Sequence, residues 1–202
     1  GCEDGFGGAW AAWRKFGNRA TYIPIKHQTP PPPGLKNRTI YIIDIFYPIP
    51  VLKFLIRANK KVVAIDHHKG VEAATKTAPE YVFDLDHSGA VLAWKYFHPT
   101  KSVPHLLKIV EEQDLWKFKL ADTKALSSYL KTIPRDFHAW NVLAKQWENK
   151  TIRREHATAG ATALHYQNLL IKEIIQEAKK GVFAGKRVWI VNSPILTSQI
   201  GN

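Results

Sequence analysis

Three short apolar runs in this chain each stop abruptly at a carboxylate: TIYII runs into Asp44, KVVAI into Asp66, and YVF into Asp84. A strand covered on both faces reads as a continuous apolar run, and parallel strands need a crossover long enough to hold a helix. After the first run, Pro48 opens a segment whose Leu52, Phe54 and Leu55 recur at helical spacing as far as Asn59, so strand, helix and next strand form a βαβ unit. After the third, Ser88 marks the start of a helix whose buried stripe is Ala90, Val91, Trp94 and Phe97. The fold class that follows is α/β, a parallel sheet flanked by helices. Ligands of such sheets bind outside the carboxyl ends of the strands, which is where AIDHHKG places Asp66, His67 and His68 side by side.

Elsewhere the periodicity is mostly helical. Phe6, Ala9, Trp10, Trp13 and Phe16 predict a first helix that Gly17 ends. TYIPI is a strand candidate, and HQTPPPPG after it is an extended surface loop, since four prolines remove donors and fix φ. From Val103 onward HLLKIVEEQDLW, TKALSSYLKT and DFHAWNVLAKQW predict a helical half, followed by a long helix from about Thr151 to Lys180 that Gly181 and Gly185 break before the strand RVWIV. The expected organisation is a domain over 1–150, a linker helix over 151–181, and the beginning of a second, incomplete domain over 182–202. With no Met and an opening GCEDGFGGAW that reads as a loop entering a helix, the chain is expected to be a fragment, truncated at both ends.

Lys and Arg outnumber Asp and Glu by 29 to 17, a net charge of +12 that favours anionic partners such as phosphate esters or nucleic acid. The single cysteine, Cys2, excludes an internal disulfide and suits a reducing compartment, so a cytoplasmic location is expected. No apolar run approaches the roughly 20 residues needed to cross a bilayer, and no membrane partner is expected.

Asp4, Asp44, Asp66, His67, His68 and Asp114 all fall at strand ends or loop-to-helix junctions. Like charges gathered at one sheet edge repel unless cations lie among them. An acidic set with one or two imidazoles suits Mn²⁺ or Mg²⁺, whereas structural zinc recruits more cysteine than this chain owns. Two such ions sharing a carboxylate can generate hydroxide and clamp both oxygens of a phosphoryl displacement. Asp4 equally suits the first turn of a helix, and Asp44 could cap the helix that follows it.

The blocks CEDGFGGAWAAWRKFG, YIIDIFYP, AIDHHKG, FDLDHSGAVLAW and EEQDLW, in this order and across nearly the whole chain, resemble the DHH phosphoesterase superfamily, in particular its branch of oligoribonuclease and cyclic-nucleotide phosphodiesterase-like phosphohydrolases. The resemblance implies a DHH domain followed by a smaller substrate-binding domain. It implies a two-metal, metal-hydroxide hydrolysis of phosphodiester bonds in short oligoribonucleotides or cyclic nucleotides, with Mn²⁺ as cofactor. On the family's pattern Asp4 matches the last carboxylate of the first motif, and Cys2 stands where another Asp would be and is carried as a soft ligand candidate. Asp44 matches the bridging carboxylate, and His67 and Asp114 complete the second metal site. Asp66 and His68 are the catalytic pair, Asp66 orienting the site and His68 near the scissile phosphate. The implied partner is a nucleotide or short nucleic-acid substrate; whether a second copy joins in a homodimer is left open by the sequence. Two other functions compete: a non-catalytic nucleic-acid-binding module, which Cys2 favours, and a phosphoanhydride hydrolase of the pyrophosphatase or exopolyphosphatase type.

Asp84 and Asp86 are read as capping groups or as supports behind the ligands, and His27, His87, His98, His105, His138, His156 and His165 as surface or core histidines. The tryptophans sit largely on helical stripes, which fits core packing better than base stacking.

Overall fold

In the β1 strand (Thr39–Ile43) successive side chains leave opposite faces of the sheet. Ile42 joins Tyr47, Leu52, Leu55 and Val62 in a small core under helix α2 (Ile49–Ala58). Tyr41 and Ile43 pack instead against the main core on the other face. Strand β2 (Lys61–Asp66) divides in the same way, with Val62 facing α2 and Val63 and Ile65 facing the main core. Burial on both faces is why these strands carry unbroken apolar runs. The computed structural model describes residues 2–26 and 28–201, apart from the side chain of Ser198; His27 therefore lies outside the described residues.

The sheet is parallel, ordered β1-β2-β3, with β3 spanning Glu80–Phe83. Thr39 pairs with Lys61 and Ile43 with Ile65, while Asp66 pairs with Phe83. The main core is built by α1 (Glu3–Phe16) and α4 (Gly89–Phe97), which lie against each other and cover one face of the sheet. Trp10 of α1 stacks on Trp94 of α4 at 5.4 Å. A short α3 (Glu72–Thr75) links β2 to β3. Thus the α/β class with a helix-flanked parallel sheet is the observed architecture.

The helical half comprises α5 (His105–Asp114), α6 (Thr123–Leu130), α7 (Phe137–Glu148) and α8 (Lys150–Gln176). Asp136 caps α7 by accepting from the Ala139 amide, and Asn149 caps α8 through Thr151 and Ile152. Trp140 and Trp147 are fully buried where α7 meets its neighbours.

Two expectations are corrected. TYIPI forms no strand: Pro24 offers no ladder donor, and the Tyr22 hydroxyl donates locally to the Gly17 carbonyl at 2.7 Å. The long helix ends at Gln176 rather than Lys180, because KKGVF is itself a strand, β4 (Lys179–Phe183), antiparallel to β5 (Lys186–Ile190). Ala184 and Gly185, both at positive φ (49° and 76°), make the two-residue turn between them. Gly185 is a hairpin residue and not a helix breaker. A last short helix, α9, spans Thr197–Ile200. Among the described residues no helix is long and apolar enough to cross a membrane.

Candidate metal centre

The carboxyl ends of β1 and β2 lie side by side, and the chain leaves each of them sharply. After β1 the backbone turns at Asp44 with φ 54°, a left-handed conformation that Asp tolerates better than most side chains. The Asp44 amide still donates to the Ile65 carbonyl at 2.9 Å, so the turn is pinned to the end of β2. After β2, one oxygen of Asp66 gathers the next two residues. Oδ1 accepts from the His67 amide (2.7 Å), the His68 amide (2.9 Å) and His68 Nδ1 (2.8 Å). Burial acts to raise the Asp66 carboxyl, but these bonds and the His68 charge hold it below the usual range. The bond to Asp66 in turn lifts His68 to about 9, so its half-exposed ring is cationic at neutral pH.

His67 turns the other way, into the fold. Its Nε2 lies 3.5 Å from Asp4 Oδ2, 3.4 Å from Asp44 Oδ1 and 3.4 Å from Asp114 Oδ2. Asp4 comes from the first turn of α1, Asp44 from the end of β1, His67 from just past β2, and Asp114 from the last residue of α5. Asp4 is also fixed from outside the cluster: its two oxygens accept the amides of Gly89 (2.8 Å) and Ala90 (2.9 Å) at the start of α4. Asp4 thus lies in the first turn of α1, as the helix-turn reading expects, with its carboxylate also 3.5 Å from His67 Nε2.

Gly89 makes this approach possible. A Cβ there would stand 2.8 Å from the Asp44 Cβ and 3.0 Å from Asp4 Oδ2, closer than packed atoms come.

Three carboxylates within 3.5 Å of a single imidazole nitrogen repel strongly. Burial, and then the charges of Asp44 and Asp114, raise the Asp4 carboxyl well above its usual range. Asp114 moves the same way, through burial first and with Asp44 adding to it. Burial acts to lower His67, but Asp44, Asp4 and Asp114 raise it overall.

Among the described residues, Asp44 Oδ1, Asp66 Oδ2 and His67 Nε2 are buried and make no hydrogen bond. Two sets bring potential ligand atoms within 4.8 Å of one another, Asp44–His67–His68 and Asp4–His67–Asp114, with His67 common to both. Ligands held about 2.1 Å from one ion at right or tetrahedral angles lie roughly 3.0–3.4 Å apart, close to the spacings found around Nε2. The oxygen-rich set with one imidazole fits a hard or borderline divalent cation.

Cys2 belongs to neither set. Its thiol donates to Asp44 Oδ2 at 3.2 Å and accepts from the Gly5 amide at 3.3 Å. Burial of the sulfur and the charge of Asp44 push it up to about 12, so it stays a thiol. Asp84 Oδ1 accepts from the Asp86 amide at 2.8 Å and caps that turn, as expected.

Three further residues adjoin the centre and carried no signal in the sequence. Gln113, Ser127 and Lys131 line a cavity of about 50 Å³ that also opens on Cys2, Asp4 and Asp114, and the buried Ser127 Oγ makes no hydrogen bond. Ser127 and Lys131 come from α6 and its end, thirteen or more positions from any carboxylate of the set. Nothing local in the sequence links them to it.

No family model matches the chain. It is similar to uncharacterized protein R106 of Acanthamoeba polyphaga mimivirus, 27% identical over 223 residues that cover all of this chain and 52% of that protein. The chain thus spans about half the length of the curated relative it matches. Among solved structures it resembles an uncharacterized protein from Helicobacter pylori G27, with a TM-score of 0.56 and 9% identity over 92% of this chain and 71% of that one. At that identity the likeness concerns the fold alone.

Proposed function

We propose that this chain is a divalent-metal-dependent phosphohydrolase acting on phosphodiester bonds of short oligoribonucleotides or cyclic nucleotides. The observation that carries the reading is the convergence of Asp4, Asp44 and Asp114 on His67 Nε2, a buried nitrogen without a hydrogen bond. These four residues would hold a divalent ion, Mn²⁺ or Mg²⁺. When bound, such an ion polarises a phosphoryl oxygen and supplies a nucleophile from water at neutral pH.

The protein's own groups do the rest. Asp66 fixes the orientation of the His68 ring through Nδ1 and favours its charged form. The exposed, cationic His68 ring then donates to phosphoryl oxygens or to the leaving group from the solvent side of the cluster. Asp44 turns Oδ1 toward His67 and Oδ2 toward the Cys2 thiol, and it would be the carboxylate shared if two ions were bound. The net charge of +12 draws anionic substrate to this edge. With no second cysteine to pair with Cys2, we place the protein in the reducing cytoplasm.

Asp44→Ala tests the reading. In calorimetric titration with MnCl₂ the variant is expected to lose binding, and Mn²⁺-dependent cleavage of a model diester should fall at least a hundredfold. Cleavage retained by the variant would remove Asp44 from the centre, and a wild type that takes up no Mn²⁺ would end the metal reading. One feature favours a second reading, a non-catalytic nucleic-acid-binding module: a thiol rather than a carboxylate faces Asp44 Oδ2. Oligonucleotide bound without products over long incubation with Mn²⁺ marks that case. Release of phosphate from pyrophosphate, with diesters untouched, marks a phosphoanhydride hydrolase instead.

A further inference from the structure

Two of the tryptophans are not core residues. Trp116 is 56% exposed and Trp189 67%, and Trp116 belongs to the loop that leaves α5 at Asp114. It follows Asp114 by two positions, so its Cα lies within about 8 Å of the Asp114 Cα along the chain. On its other side Lys117 is anchored over the end of β3, its ammonium donating to the Asp86 carbonyl at 2.6 Å and lying 3.7 Å from Glu111 Oε1. Trp116 is thereby held between two fixed points on the rim where the strands end.

The loop that carries it is braced from below. The buried Glu112 accepts from the amides of Lys119 and Leu120 through one oxygen, and the Thr123 hydroxyl donates to the Leu120 carbonyl at 2.8 Å. Trp116 and Phe118 both take positive φ (53° and 47°), a conformation bulky residues rarely adopt unless the surroundings impose it. The effect of this bracing is to hold an indole in water. Phe118 packs on it edge to face, ring centroids 5.3 Å apart and planes at 90°, and Lys124 lies over Phe118 at 4.9 Å. A large apolar ring kept in solvent by a rigid turn, with cations close by, matches the chemistry that holds a nucleobase: a π-face for the base and positive charge for its phosphates.

Resting on the phosphodiesterase reading above, we propose that Trp116 is a stacking platform for a base of the substrate, so that the substrate class is a nucleotide or oligonucleotide rather than a bare phosphoanhydride. Trp116 then selects what is presented to the Asp4–Asp44–His67–Asp114 cluster and takes no part in the bond breaking itself.

The test compares wild type, Trp116→Ala and Trp116→Tyr in binding fluorescein-labelled adenine pentaribonucleotide and the same oligomer with abasic sugars, by anisotropy in EDTA. Hydrolysis of the two oligomers in Mn²⁺ is followed in parallel, and circular dichroism checks the fold of each variant. Stacking of one base predicts that the preference for the base-bearing oligomer falls about tenfold or more in Trp116→Ala. It predicts that Trp116→Tyr keeps most of the preference and that KM, rather than kcat, carries the difference in hydrolysis. Equal preference in wild type and Trp116→Ala overturns the platform, as does a wild type that does not distinguish the two oligomers. Base-selective binding that depends on Trp116 without any hydrolysis leaves the platform standing and removes the catalytic reading. Hydrolysis by wild type that is indifferent to Trp116 does the reverse.

Discussion

Asp44 shows how much one backbone angle decides. Its left-handed turn takes the chain out of the β1 line at once and puts a carboxylate beside His67, where an extended residue would have carried it past the rim. That a carboxylate closes β1 was legible from an apolar run ending in Asp44; its positive φ and the close approach of Gly89 were not, because close approach is a property of two segments that meet only in the fold. His98 illustrates the converse, a histidine with no spacing to single it out that proves buried. It packs on Trp94 at 4.3 Å and its Nε2 donates to the Ala11 carbonyl at 3.0 Å. Burial holds it below its ordinary value against that bond, with Lys101, Arg14 and Lys15 lowering it further. The unfolded chain therefore takes up this proton first as pH falls. The stability owed to neutral His98 is whole above about pH 6.5 and is lost as pH drops through the lower folded value. In urea unfolding, wild type should lose stability relative to His98→Gln on acidification from pH 7 to pH 5; a constant difference would mean the ring is not enclosed.

Among the elements, α6 and α8 depend on one small residue. A Cβ at Gly160 would lie 2.0 Å from the Ala125 carbonyl oxygen, so the two helices touch backbone to backbone. Relief requires them to separate, and overpacking of this kind costs about 1–3 kcal/mol. Gly160→Ala should lower the melting temperature measurably although alanine is the better helix former; an unchanged or higher value would show that the helices do not meet there. At this scale the sequence was readable where periodicity and a cap coincided, as with Ser88 accepting from the Val91 amide at the head of α4. It was unreadable at the end of α8, where Lys179 and Lys180 continue a polar helical pattern and only pairing with Trp189 and Ile190 makes them a strand. The exposure of Trp116 was hidden for a similar reason: EEQDLW reads as helix, but α5 stops at Asp114.

Across the whole molecule burial is uneven. All the carboxylates of the centre, and the cores behind them, belong to the part that precedes α8, while within α8 only Ala157 and Gly160 are buried. The β4–β5 hairpin buries none of its residues and leaves Val182, Phe183, Trp189 and Ile190 more than half exposed. On the metal reading proposed above, a chain ended after Gln176 should keep its Mn²⁺ affinity within about threefold and melt cooperatively as before, since surface changes away from packed groups cost little; Mn²⁺ uptake lost on this truncation alone would tie the hairpin to the centre. The α/β class was legible because apolar runs and helical stripes are local patterns. The meeting of Asp114 with His67 was legible only through the order of the motif blocks, since no spacing along the chain brings a helix end to a strand end.

Each supporting element contributes a single donor to the cluster around His67: α1, β1, the turn after β2, and α5. No isolated piece of the polypeptide carries the whole set, which exists only once all four have docked. If the proposed centre takes up a cation, that uptake becomes a gauge of completed folding, and harm done deep in the packing between α1, α4 and α5 should show first as lost uptake.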